Sequence, residues 1–167
     1  EKLDFDFASC GYALCIVDTG GSHSDLTDEY AAVRKEMESV AEYLGKSVLR
    51  EVDEDEFMKN IADIRSSCGD RAVLRAMHFY GDNARVEKQA AALKAGDFET
   101  FKKYIIESGR SSYMYNQNVY SCKKASEQPV SLALSLSEKL LDGCGAWRVH
   151  GGGFAGTIQA FVPLNKL

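Results

Sequence analysis

The chain predicts an α+β fold with a mostly antiparallel sheet, and three observations carry that reading. A short apolar run, residues 12–17, ends in Asp18-Thr19-Gly20-Gly21. Through the middle of the chain apolar residues recur at three- and four-residue spacings, the period of amphipathic helices. Near the end, two strand-like runs, 147–150 and 157–162, flank a glycine-rich loop. Strands at both ends with helices between them put the late strands side by side, with the early strand joining them.

The elements follow in order. Phe5 and Phe7 alternate with Asp4 and Asp6, a weak strand pattern. Residues 12–17 are apolar throughout and read as a buried strand ending in a turn. Leu26, Tyr30, Val33, Met37, Val40, Ala41 and Leu44 then predict a long helix. Ser24, Asp25, Thr27 and Asp28 offer N-cap chemistry, and Gly45 supplies the stop. The acidic run 53–56 opens a shorter helix with Phe57, Ile61 and Ile64 on one side. Asp70 is placed to cap a longer helix through Tyr80, and the pattern continues from Val86 to Leu93 before Gly96. Asp97 starts another helix with Phe98, Phe101, Tyr104 and Ile105. Residues 109–127 are polar and rich in Tyr, Ser and Asn, which predicts a broken helix or an ordered loop. Pro129 fits a first helical turn, and leucines follow up to Gly143.

At 167 residues the chain is one domain by size, residues 1–167, large enough for a core of its own. Its net charge of −5, with no clustered basic stripe, argues against non-specific binding to nucleic acid or an acidic membrane. No apolar run approaches the roughly 20 residues of a membrane span. The first residues lack both the layout of a signal peptide and an initiator Met, so the sequence reads as a fragment or a processed chain. Five cysteines, an odd number without a C-x-x-C, predict reduced and mostly buried thiols in a cytosolic protein.

Few residues carry a chemical signature. His23, His78 and His150 are far apart with no i, i+4 partner, so they read as hydrogen-bonded or exposed imidazoles, not as a metal site. The carboxylates of residues 51–56 read as helix-start charge, not as an acid–base pair. No G-x-S-x-G elbow is present, and Ser24 reads as a cap. The richest stretch is 143–157, which holds six of the 14 glycines. A run such as Gly151-Gly152-Gly153 can aim backbone N–H groups at an anion or let two segments cross closely. It matches neither the G-x-x-x-x-G-K-[ST] loop nor the dinucleotide fingerprint, and both readings stay open on the glycines alone.

Five collinear patches resemble one family. Residues 148–156, Arg-Val-His-Gly-Gly-Gly-Phe-Ala-Gly, resemble the third motif of the GHMP small-molecule kinases in its galactokinase form. Residues 18–26, with Glu29-Tyr30 ahead of Arg34 and Leu44-Gly45 at the helix end, are similar to the galactokinase segment that runs from a strand into a helix. Arg75-Ala76-Met77-His78 with Asn83 and Arg85-Val86 resembles the R-A-x-H…N-x-R-V stretch. Gly96-Asp97-Phe98, and Glu107-Ser108 with Ser111, follow in order. The chain departs from the family in having His150 for Thr, Ala155 for Gly and Trp147 for a small residue. The loop path tolerates this if neither His150 nor Ala155 needs positive φ.

The resemblance implies the fold and part of the function. The fold would be the GHMP kinase C-terminal domain, a mostly antiparallel ferredoxin-like sheet with packed helices. The activity of the intact protein would be transfer of the ATP γ-phosphate to the anomeric hydroxyl of galactose, with Mg²⁺. The sugar-holding Gly-Glu-His-Thr-Asp-Tyr motif, the Gly-x-Gly-Leu-Ser-Ser-Ser phosphate loop and the catalytic Asp and Arg are expected upstream, on an N-terminal lobe that also holds most of the ATP and Mg²⁺. No catalytic residue and no metal ligand is therefore assigned to this chain. Tyr30 aligns with a tyrosine whose hydroxyl contacts the sugar, although a core-facing aromatic at helical spacing is the competing reading. Gly151, Gly152, Gly153 and Phe154 would form the active-site loop that packs against the phosphate loop. Arg148 would be a strand-end surface residue or lie near the nucleotide. The resemblance implies a cytoplasmic protein that would be inactive as this piece alone. It also leaves room for a non-catalytic galactose- and ATP-binding sensor, or for an N-acetylgalactosamine kinase. The family continues past the last strand, so one sheet edge would be incomplete.

Overall fold

A computed structural model describes residues 2–22 and 24–167. Glu1 and His23 lie outside the described residues, so the reading of His23 goes no further. Strand β1 (Tyr12–Asp18) is followed by six helices: α1 (Thr27–Tyr43), α2 (Glu54–Lys59), α3 (Ile61–Cys68), α4 (Asp70–Lys94), α5 (Phe98–Ser111) and α6 (Pro129–Leu141). Strands β2 (Ala146–Val149) and β3 (Thr157–Pro163) close the chain. The sheet is antiparallel in the order β1-β3-β2, with Val17 opposite Ile158 and Val149 opposite the same residue from the other side. The fold is α+β with a small antiparallel sheet and packed helices, as the strand and helix patterns predict.

Side-chain alternation along β3 fixes what lies on each face. Ile158 and Ala160 meet Val130, Leu134 and Leu141 of α6, together with Trp147. Phe161 points the other way, into an aromatic group with Phe98 and Phe101 of α5. A separate apolar core joins α1, α3 and α4 through Val40, Ile64, Val73 and Ala76, with Phe57 of α2 added. Fully burying side chains such as Phe57 and Ile64 contributes roughly 1.5–3 kcal/mol each. Among the described residues no helix is long and apolar enough to cross a membrane.

Several local expectations are corrected. Phe5 and Phe7 form no strand; they stack into the α5 aromatic group, with Phe7 and Phe161 5.1 Å apart edge-on. Their alternation marks residues that insert into a core, not a ladder. Strand β1 is present but not buried: Leu14, Ile16 and Val17 are 45%, 49% and 43% exposed. The cause is coverage: β2 is an edge strand too, yet it is buried because helices α5 and α6 pack chiefly over β2 and β3.

Helix boundaries also move. Helix α1 starts at Thr27 with Leu26 in the cap position and no side-chain cap bond. Ser24 instead bonds Ser22, oxygen to oxygen at 2.7 Å. Burial of Leu26 against Phe154 and Ala155 sets this boundary, not local capping. The stop at Gly45 is as expected, with φ +72° and the Lys46 N–H bonded to the Ala41 carbonyl. The helix expected from residue 53 to Ile64 is two helices, α2 and α3, meeting at Asn60, whose side-chain amide donates to the Glu56 carbonyl at 2.8 Å. Asp53 caps α2 by accepting from the N–H groups of Asp55 and Glu56, and Asp97 caps α5 by accepting from Thr100. Gly69, not Asp70, holds the cap position of α4. Residues 109–127 begin as the end of α5, widen into a π-type turn (Ser112–Asn116), and continue as an ordered loop. None of the five cysteines is fully buried, and Cys122 is exposed.

Candidate functional site

The site gathers around the loop of residues 150–156, which joins β2 to β3. The His150 N–H donates to the Thr157 carbonyl at 3.0 Å and closes the hairpin. Gly151, Gly153, Phe154 and Gly156 take positive φ, whereas His150 and Ala155 do not. The two departures from the family pattern therefore fall where the backbone does not require glycine.

Three distant segments hold this loop. On one side Thr19 donates from both its N–H (2.8 Å) and its hydroxyl (2.6 Å) to the Gly156 carbonyl. The two segments that most resemble a kinase in the sequence, 18–26 and 148–156, thus meet. On a second side Tyr30 lays its ring over Gly152, where a Cβ would come within 2.7 Å of the Tyr30 Cε1. The Tyr30 hydroxyl donates to the Gly153 carbonyl at 2.6 Å, and its ring meets Phe154 edge-on at 5.2 Å. Burial pushes the Tyr30 phenol up, opposed in part by a backbone hydrogen bond with Ala155.

On the third side lies Asn118, which the sequence does not single out. Its Nδ2 donates to the Gly152 carbonyl at 3.1 Å, and its own carbonyl accepts from the Phe154 N–H. A Cβ on Gly153 would run into that carbonyl. Residues 116–118 are fixed in turn by Arg75, which is 1% exposed. The Arg75 Nε donates to the Asn116 carbonyl at 3.1 Å and its Nη1 to Glu36 at 2.8 Å; Arg71 also binds Glu36. Burial pushes the Arg75 guanidinium down, and Glu36 opposes that shift. Buried charges persist only when paired and hydrogen-bonded, and Glu36 with the Asn116 carbonyl supplies both conditions.

Two loop amides, those of Phe154 and Ala155, donate to protein carbonyls, Asn118 and Gly153. Between the two readings of the glycines, this geometry supports a close crossing of segments over an anion nest. The loop and Tyr30 border a cleft of about 580 Å³ that also takes in Arg34, Phe79, Asn116 and Asn118.

The remaining candidates lie elsewhere. Trp147 is 8% exposed and belongs to the core under α6. Arg148 is half-buried beside Gly109 of α5, with Nε donating to the Val149 carbonyl at 3.2 Å, so the strand-end surface reading is corrected. Burial pushes its guanidinium down. His150 is exposed against Gln159. His78 is buried, with Nδ1 2.9 Å from the Ser111 hydroxyl.

Comparison with known proteins gives the family. The galactokinase of Homo sapiens is 35% identical over 153 residues, which cover 92% of this chain and 36% of that protein. The galactokinase of Thermosipho africanus is 31% identical over 175 residues, covering 99% of this chain and 45% of its own length. The chain belongs to the galactokinase family. It corresponds to a C-terminal region of that family, and it spans about two fifths of the length of the curated relatives it matches, 39% for the galactokinase of Actinobacillus pleuropneumoniae. The structure of Lactococcus lactis galactokinase, determined with galactose, superimposes with a TM-score of 0.68 over 93% of this chain at 23% identity. That likeness shows a shared fold. No family model matches the chain. In this galactokinase-family chain the glycine loop, Thr19 and Tyr30 meet at one corner. Sequence reading misses Asn118 and Glu36, and it quotes Arg75 only within the 75–78 patch, with no role. Only a polar stretch with no periodicity hinted at Asn118.

Proposed function

We propose that the chain is one domain, the C-terminal lobe of a galactokinase, and that the Tyr30–glycine-loop corner is its contribution to the active site. The intact enzyme transfers the ATP γ-phosphate to the anomeric hydroxyl of galactose, and the piece alone is inactive. The observation that carries this reading is the convergence of residues 18–26, Tyr30 and residues 150–156 on one corner, in a chain whose relatives are galactokinases.

We assign Mg²⁺ and most of the ATP to the N-terminal lobe, as the family resemblance implies, and no chemical step is routed through them. What this lobe supplies is placement, which in phosphoryl transfer is much of the catalysis. Tyr30 keeps its hydroxyl at the loop and offers a polar tip on an apolar ring to the sugar. Gly151, Gly152, Gly153 and Phe154 form a rigid wall for the phosphate loop of the other lobe. We place the intact enzyme in the cytoplasm, as the family resemblance implies.

The test is ADP release by the intact polypeptide with galactose, ATP and Mg²⁺, alongside residues 1–167 alone. Turnover by the intact protein and none by the piece is expected. Tyr30→Phe in the intact protein should weaken galactose by about tenfold in KM, the loss of a hydrogen bond worth roughly 1–1.5 kcal/mol. Galactose binding without turnover would replace the kinase by a non-catalytic sensor. Preferred turnover of N-acetylgalactosamine would change the substrate.

A further inference from the structure

Asn118 presents an unusual pattern. It is 5% exposed, and its two amide atoms are treated unequally. Nδ2 donates to the Gly152 carbonyl, while Oδ1 is buried with no hydrogen-bond partner. A buried acceptor left unpaired is a cost that folded chains avoid. An apolar side chain at this place would remove that cost, so the feature the position needs is the donor.

The donor acts at a point where the glycine loop has no slack. Gly153 has φ +83° and abuts the Asn118 carbonyl; that same carbonyl takes the Phe154 N–H, and Phe154 itself holds φ +55°. A non-glycine residue at such a φ persists only where its surroundings dictate it. Asn118 grips the loop on both sides of Gly153, at the Gly152 carbonyl by its side chain and at the Phe154 N–H by its backbone. Behind it Gln117 sits at φ +53°, and the buried Arg75 pins the preceding carbonyl, Asn116. The grip is thus tied to the α1–α4 helical pair and does not float with the loop from 117 to 128.

We propose that Asn118 is a positioning residue of the galactokinase active site. Its amide locks the glycine loop in the conformation that faces the other lobe, with Arg75 and Glu36 as the anchor behind it. This rests on the kinase reading above for its catalytic consequence, but not for the lock itself.

Two variants of the intact polypeptide test it. Asn118→Asp keeps the shape and turns the donor into an acceptor facing the Gly152 carbonyl; Asn118→Ala removes the donor and keeps the backbone grip. Amide hydrogen exchange at Phe154 is expected to accelerate by about tenfold or more in both variants, while the Ile158 and Ala160 amides of β3 keep wild-type rates. The kcat with galactose is expected to fall by about tenfold or more, with KM for galactose within about threefold, because a displaced wall misplaces the reacting groups without removing the sugar contact. Unchanged exchange at Phe154 overturns the lock. Acceleration spread equally through β3 and α4 overturns it too, since that is general destabilisation. If wild-type protein turns over no galactose, the kinase reading fails while the exchange result still decides the lock. Loosened Phe154 with unchanged kcat overturns the catalytic consequence.

Discussion

The helical core and the glycine loop are held by opposite means. Helices α1, α3 and α4 meet through apolar side chains that repeat along each helix, and no single contact among Val40, Ile64, Val73 and Ala76 dictates the arrangement. The loop of residues 150–156 has little apolar surface beyond Phe154 and Ala155. It is fixed by a few directed contacts from Thr19, Tyr30 and Asn118, each at least 34 residues away in sequence. Packing is tolerant because many contacts share the load. Directed contacts are not, because one misplaced atom leaves a buried polar group unpaired.

The largest expected effect breaks that comparison at its sharpest point. Gly153→Ala would place a methyl group at φ +83° against the Asn118 carbonyl. We expect a loss on the order of 4 kcal/mol in urea unfolding. A loss under about 1 kcal/mol would mean that the loop yields as a core does. Next comes the link between the two regions. Glu36→Ala leaves the buried Arg75 without its carboxylate and is expected to cost about 3 kcal/mol by the same measurement. Exchange at Phe154 should rise in this variant too, since Asn116 loses its anchor. A Glu36 variant with a wild-type unfolding midpoint would show that the pair carries nothing.

The smallest effect probes the next turn of α4. His78 is buried, and burial pushes its imidazole below the ordinary value of 6.5, with Asp82 opposing and Arg85 and Arg148 reinforcing the shift. As pH falls the unfolded chain therefore takes up the proton first. The stability contributed by neutral His78 is complete above about pH 6.5 and is lost as pH falls toward its folded value. Urea midpoints measured from pH 7.5 to 5.5 should fall less steeply for His78→Asn than for wild type. Parallel curves would assign the pH dependence to other groups.

How much was legible follows the same division. The 3.6-residue spacing of Tyr30, Val33, Met37, Val40 and Leu44 gave α1 because one apolar face must be buried whatever it meets. Asp53 and Asp97 were readable as caps because capping is a contact over two or three residues. The same local logic failed at Ser24, where burial of Leu26 by Phe154 moved the helix start. It failed again at β1, whose apolar run looked buried although the helices that cover β2 and β3 leave Leu14 and Ile16 exposed. Tyr30 and the three glycines were placed at the site by family resemblance. The spacing of the residues gave no sign that the Tyr30 hydroxyl would turn onto the Gly153 carbonyl.

The amino-acid sequence by itself determined the α+β class, the early strand and the late strand pair, the helices that follow Leu26, Asp97 and Gln128, and the helix stop at Gly45. These depend on side-chain period and on backbone freedom, which are properties of short stretches. The tertiary structure alone decided that Thr19, Tyr30 and Asn118 converge on the loop, and that Arg75 and Glu36 stand behind Asn118. Residues so far apart in sequence share no local constraint. They come together only when the separate apolar faces are buried, and the polar groups trapped between them must then pair with whatever that burial brings within reach.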